Sequence, residues 1–128
     1  MRYLSVEEVI LVHRQVISVY GGVQGILDIH LLESAIFRPQ TTIGGQEMFP
    51  EVFDKAAVLM QLIIRNHAFH DGNKRTGLLA MLMFMRLNTT QIKLSRQEAV
   101  AFARKIARNE LDLKEIKETI QQHAVVIS

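Results

Sequence analysis

At 128 residues, with 48% hydrophobic and 22% charged side chains, the chain has the size of one domain, residues 1–128, and enough apolar material for a core without staples. Its formal charge of +2 and pI near 9.2 do not call for a nucleic-acid partner, and no basic stripe is interleaved with aromatics. The absence of cysteine excludes disulfides, thiolate nucleophiles and cysteine-based zinc sites, which fits a cytoplasmic protein.

The N-terminus carries Glu7 and Glu8 where a secretion signal needs an apolar run. The longest apolar stretch, Leu78 to Met85, is far short of the roughly 20 residues of a membrane span, so neither export nor a membrane partner is expected. Ser5-Val6-Glu7-Glu8 has the form of a capping box and starts a first helix, whose Val6, Val9, Ile10, His13, Val16, Ile17 and Tyr20 make one apolar stripe. Gly21-Gly22 ends it. Asp28 caps a second helix running to about Phe37, with Leu32, Ala35 and Ile36 inward and Pro39 as its stop. From Gln40 to Phe49, β-branched residues flank Gly44-Gly45, and the stretch reads equally as a short hairpin or an ordinary surface loop.

A third helix from near Pro50 carries Phe53, Ala56, Ala57, Met60, Leu62 and Ile64. The fourth, beginning near Asn73, is apolar on nearly every side and is expected at the centre of the bundle. Asn88-Thr89-Thr90 breaks it. Ser95 to Glu98 caps a fifth helix bearing Val100, Phe102, Ala103, Ile106 and Ala107, and Asp112 with Glu115 opens a sixth bearing Leu113, Ile116 and Ile120. The tail Ala124 to Ser128 is apolar and ambiguous. The expectation is an all-α bundle of about six helices.

Between the third and fourth helices lies the run from His67 to Gly77, dense in imidazole, carboxylate, amide, cations and glycine. Lys74 and Arg75 fall in a first helical turn, where the macrodipole favours anions rather than cations. A bound anion removes the conflict, because the open amides of a helix start beside Gly72 make a phosphate site, with Asn73, Lys74 and Arg75 adding donors and charge. The plainer reading is Asp71 or Asn73 as an N-cap and two solvated cations. Asp71 beside such a cradle suffices for magnesium, which is held by one or two carboxylates plus substrate phosphates. His67, four residues earlier, suits a general base or simply a polar helix end. His67 with His70 also raises a zinc reading, whose third ligand would be Asp71, His13, His30 or His123. Phe69 reads as an apolar anchor for the loop.

His67-Ala68-Phe69-His70-Asp71-Gly72-Asn73-Lys74-Arg75 resembles the Fic/Doc signature His-x-Phe-x-(Asp/Glu)-Gly-Asn-(Gly/Lys)-Arg. Tyr3-Leu4-Ser5, Tyr20-Gly21-Gly22 and Leu32-Glu33-Ser34-Ala35 extend the similarity toward the Doc (death on curing) toxin branch. The resemblance implies a Fic-type helical fold with His67 as catalytic base, Asp71 holding Mg2+, and Gly72 to Arg75 cradling the phosphates of ATP, Lys74 and Arg75 also neutralising the transferring group. Where the adenylyl-transferring Fic pattern has a second Gly and a later Arg, this chain has Lys74 and Leu78. Both changes resemble Doc, which implies a toxin kinase moving the γ-phosphate to a Thr of elongation factor Tu and arresting translation. Adenylyl transfer and an inactive antitoxin-binding module are the alternatives. The stretch with Ile43, Gly44 and Gly45 occupies the place of the family's target-docking flap. No match to the inhibitory Ser/Thr-x-x-x-Glu-(Gly/Asn) motif is present, so a cognate antitoxin acting in trans is expected. Arg104, Lys105, Arg108, Lys114 and Lys117 suit either an acidic partner or a solvated face.

Overall fold

The computed structural model describes residues 1–127 and is mostly helical, as expected. It contains α1 (Val6–Tyr20), α2 (Ile29–Phe37), α3 (Val52–Asn66), α4 (Asn73–Leu87), α5 (Arg96–Ala107) and α6 (Leu113–Gln122). A 3-10 turn, Arg38–Gln40, follows α2, and two antiparallel strand pairs join β1 (Thr42–Ile43) to β2 (Gln46–Glu47) and β3 (Thr90–Ile92) to β4 (Ala124–Val126). No helix is long and apolar enough to cross a membrane among the described residues.

The helix starts follow their local chemistry. Ser5 Oγ accepts from the Glu8 amide at 3.1 Å while Glu8 accepts from the Ser5 amide at 2.9 Å, and the Ser95–Glu98 and Asp112–Glu115 pairs repeat the arrangement. Asp28 Oδ1 accepts from the amides of His30 and Leu31 to start α2. The hairpin alternative is the one adopted at Gln40 to Phe49. Gly44 and Gly45 have φ of 58° and 80°, the mirror-image turn that two-residue hairpins require.

One expectation about packing needs correction. The central helix is α3, which packs on α2, α4, α5, α6 and the 3-10 turn and buries every residue from Lys55 to Met60. In α4, Met83 is exposed and Leu78 and Leu79 are only partly covered. Small residues explain the difference: Ala56 and Ala57 let neighbours approach α3 closely, and Gly77 lets α4 do the same from the other side. A Cβ at Gly77 would lie 2.6 Å from Ile64 Cγ1 and 3.3 Å from the Met60 carbonyl oxygen. Arg65 ties the end of α3 to the α5–α6 connection, donating to the carbonyls of Ile106 at 3.0 Å and Leu111 at 2.8 Å.

The second strand pair was not legible. Asn88 does end α4, donating to the carbonyls of Phe84 and Arg2, but Thr90 to Ile92 then pairs with the tail, Thr90 opposite Val126 and Ile92 opposite Ala124. Ser128 lies outside the described residues. His123, just before β4, contacts the Thr119 carbonyl through Nδ1 at 2.8 Å and Glu98 Oε2 through Nε2 at 2.9 Å. The Thr119 carbonyl, then the Glu98 carboxylate, raise its pKa above the ordinary value of 6.5.

Replacing Gly77 by Ala improves intrinsic helix propensity by about 1 kcal/mol, yet the Cβ must displace Ile64, an overpacking cost of about 1–3 kcal/mol. Urea unfolding is expected to show Gly77→Ala less stable than wild type. For His123, a raised folded-state pKa means that its stabilisation is complete below the unfolded value and is lost as pH rises through the folded one. The stability difference between wild type and His123→Gln should therefore be larger at pH 5.5 than at pH 8.5 in matched denaturation curves.

Candidate active site

The residues singled out in the signature occupy the connection between α3 and α4. His67 ends α3 at φ 50° and ψ 49°, a left-handed conformation uncommon for a residue with a side chain. Several contacts impose that turn. The Ala68 carbonyl accepts from the amides of Leu27 at 2.7 Å and Asp28 at 3.2 Å, and the His70 amide donates to Gly25 at 3.2 Å. Ile26 and Phe69 thereby form a β-bridge, strapping the loop to the segment after α1.

Beneath the loop, the fully buried Phe69 ring stacks on His13 with centroids 3.8 Å apart and planes 7° from parallel. His13 Nε2 lies 2.8 Å from the Asp71 carbonyl oxygen; a carbonyl only accepts, so Nε2 carries the hydrogen. Burial lowers the pKa of His13, against the opposing hydrogen bond and charge of Asp71. Sequence reading placed His13 on the apolar stripe of α1. A histidine in an otherwise aliphatic stripe was the available signal, and its partner, some 58 positions away, was not.

Asn73 closes the loop. Its Nδ2 donates to the Phe69 carbonyl at 3.0 Å and its Oδ1 accepts from the Phe69 amide at 3.2 Å. Both ends of the amide are therefore engaged within the loop, and the donor it can offer an anion is its backbone N–H, not the side chain expected. The N-cap of α4 is Gly72, at φ 78° and without a side-chain cap. This corrects the plainer expectation that Asp71 or Asn73 caps the helix. A Cβ at Gly72 would stand 3.0 Å from Ile17 Cδ1, so the turn lies directly on α1.

The first amides of α4 thus have neither an intrahelical acceptor nor a capping side chain. Lys74 and Arg75 stand exposed beside them, with the Arg75 guanidinium 4.0 Å from the Tyr20 ring centroid. Asp71 Oδ2 accepts from the Val23 amide at 2.7 Å, and Oδ1 has no hydrogen-bond partner among the described residues. One anchored and one open oxygen suit a single carboxylate ligand to a hard cation that takes its other ligands from phosphate and water. The zinc reading finds no ligand set: among the described residues, no three His, Asp or Glu side chains come together, and His13 faces a carbonyl.

Lys74 and Arg75 also border a cleft of about 350 Å³ between the end of α1, α4 and α5. Leu78, Leu79, Val100 and Ala103 supply apolar lining, while Arg96 and Arg104 add to its charge. The basic residues of α5, α6 and their connection therefore part company. Arg104 borders the cleft, Lys117 pairs with Glu51 at 2.8 Å and Asp54 at 3.0 Å, and Lys105, Arg108 and Lys114 are exposed. The flap hairpin projects elsewhere, at the opposite end of α3, with Ile43 65% exposed and Gly44 and Gly45 at its tip.

Asn73→Ala would strip both main-chain groups of the buried Phe69 of their partner, a cost of about 1–3 kcal/mol. The expected result is a lower unfolding midpoint with collapse of the loop, read as loss of the ring-current shifts that the Phe69 stack imposes on His13.

Comparison with known proteins agrees with the fold. The Fic/DOC family profile matches residues 3–85. Over 73 residues the chain is 44% identical to Toxin Doc of Mycolicibacterium smegmatis, covering 57% of this chain and 56% of that protein. Over 92 residues it is 38% identical to Protein kinase doc of Escherichia phage P1, covering 72% of each. The chain thus spans little more than half of the first relative and nearly three quarters of the second. With the profile spanning well over half of its length and reaching through the loop and most of α4, the chain belongs to the Fic/DOC family.

Proposed function

We propose that the chain is a toxin kinase that moves the γ-phosphate of ATP to a threonine of elongation factor Tu and so arrests translation. The observation that carries this reading is the uncapped start of α4, with open amides, exposed Lys74 and Arg75, and a nearby carboxylate with one open oxygen. The phage relative, named a protein kinase, supports the choice of phosphoryl transfer.

In this reaction His67 accepts the threonine hydroxyl proton as the oxygen attacks the γ-phosphorus, and the bond to the leaving ADP oxygen breaks in line. His67 and the α4 start are the two ends of one short loop, so its backbone fixes the base relative to the phosphates. The α4 amides, Lys74 and Arg75 receive the charge that spreads over the transferring group. Tyr20 holds the Arg75 guanidinium in place. Asp71 is the residue that would hold a magnesium ion, which would supply further neutralisation of the phosphate charge.

Restraint by an antitoxin in trans has a fitting surface. The cleft beside Lys74 and Arg75 combines an apolar lining with four cations, which suits a segment bearing apolar and acidic side chains. Such an occupant would also cover the two phosphate-binding cations.

The decisive experiment incubates the chain, magnesium and purified elongation factor Tu with ATP labelled at either the α- or the γ-phosphate. Label is expected to transfer from the γ-position, and His67→Ala should slow transfer by about 10²–10⁴-fold. Retention of α-label would replace the kinase by an adenylyl transferase. Growth arrest undiminished by His67→Ala would instead favour a catalytically inactive binding module.

A further inference from the structure

The peptide that links Asp71 to Gly72 carries its carbonyl inward. The Asp71 oxygen lies 2.8 Å from Nε2 of His13, a residue of α1 that is 2% exposed. Among the described residues every peptide bond is trans, and in a trans peptide the N–H points opposite to the C=O. Fixing the oxygen on His13 therefore turns the Gly72 N–H away from the core. That amide donates to no protein acceptor among the described residues, and it stands directly before the open amides of α4.

Glycine by itself does not select this orientation. Gly72 has φ 78°, and a residue without Cβ takes either sign of φ at similar cost, so the backbone is free to flip the Asp71–Gly72 peptide. Packing holds the turn on α1, since a Cβ at Gly72 would meet Ile17 Cδ1 at 3.0 Å and Val16 Cγ1 at 3.2 Å. Such contacts fix where the turn sits and not the sense of the peptide within it. His13 supplies the choice. Its ring lies flat on Phe69, with centroids 3.8 Å apart and planes 7° from parallel, so Nε2–H cannot turn aside without leaving the stack. A flipped peptide would oppose it with the Gly72 N–H, donor against donor, and leave both without an acceptor.

We propose that His13 is a positioning residue for the nucleotide: its Nε2–H, held by the Phe69 stack, sets the Asp71–Gly72 peptide so that the Gly72 N–H joins the α4 amides as a donor to phosphate. This rests on the reading of the α4 start as a phosphate site. His13 is buried beneath the loop and touches no reacting atom. It acts through one peptide unit, with an imidazole on the oxygen side and, when nucleotide is bound, a phosphate on the nitrogen side. A hydrogen bond at the oxygen also polarises that peptide and strengthens its N–H as a donor. The Asp71 carboxylate is fastened separately, by the Val23 amide at 2.7 Å, so the two ends of this residue are set by different partners.

The test compares wild type with His13→Phe, which keeps a ring against Phe69 but has no donor, and His13→Gln, whose terminal amide can present one near the Nε2 position. Long-range ¹H–¹⁵N spectra locate the ring proton, and the N–H residual dipolar coupling of Gly72 reports the sense of the peptide. Titration with ATP in EDTA reads affinity without a cation at Asp71. Wild type is expected to carry the proton on Nε2 and to show the Gly72 amide among those that ATP shifts. His13→Phe should change the Gly72 coupling and weaken ATP binding about tenfold, the loss of one hydrogen bond to a charged group, while His13→Gln restores the coupling and brings affinity within about threefold of wild type. A role in packing alone predicts the reverse order, with His13→Phe nearer to wild type, and that result would overturn the proposal. So would a ring proton on Nδ1, or an unaltered Gly72 coupling in His13→Phe. Should His13→Phe fail to fold, the wild-type proton position and the Gly72 shift decide the matter. ATP that shifts the Lys74 and Arg75 amides but not that of Gly72 overturns the role of His13 and leaves the phosphate reading standing; ATP that shifts none of them overturns both.

Discussion

The paired hydrogen bonds between the Asn73 side chain and the main chain of Phe69 are the constraint on which the rest of the site depends. They join the start of α4 to the middle of the loop, so the two cannot move apart. Phe69 in turn is held by burial and by its stack on His13, an anchor of about 1.5–3 kcal/mol from apolar transfer alone. That is enough to offset the left-handed backbone of His67, a strain on the order of 1–3 kcal/mol. The loop is thus held rigid, and its exposed members, His67, Asp71, Lys74 and Arg75, are presented from a fixed frame.

A second consequence concerns charge. Placing cations rather than a capping carboxylate at the start of α4 leaves the helix dipole unsatisfied in the free protein. Here the uncapped amides and the misplaced cations share one remedy, an anion. Tyr20 partly screens the arrangement by stacking on Arg75, which brings the end of α1 into the site although α1 contributes nothing to the signature. His13 and Tyr20, on the same helix, hold the loop from below and from the side.

The whole arrangement is organised along α3. At its C-terminal end it delivers His67, and at its N-terminal end it carries Lys55, whose ammonium engages the hairpin. Between these ends α3 is packed on four other helices, so His67 and Lys55, about 18 Å apart along its axis, are tied to one stiff rod. Burying an ammonium inside that rod is costly unless paired, and Glu47 ties the cost to the position of the hairpin.

Helix positions were legible in the sequence because their signals are local: the capping boxes at Ser5, Ser95 and Asp112, the cap at Asp28 and the glycines after Tyr20 act within a few residues. The density of polar residues from His67 to Arg75 likewise marked the candidate site, and the signature pointed to the family that the profile shows. What tertiary structure alone decided depends on partners far apart in the chain. It chose α3 over α4 as the centre, because Gly77 and Ile64 set how closely the two approach, and it paired Thr90–Ile92 with the tail. It engaged the Asn73 side chain as a loop staple, drew His13 under Asp71, and buried Lys55 against a hairpin carboxylate. A sequence specifies which groups are available, but hydrogen bonds and ion pairs between distant residues exist only once the packed helices have brought them within reach.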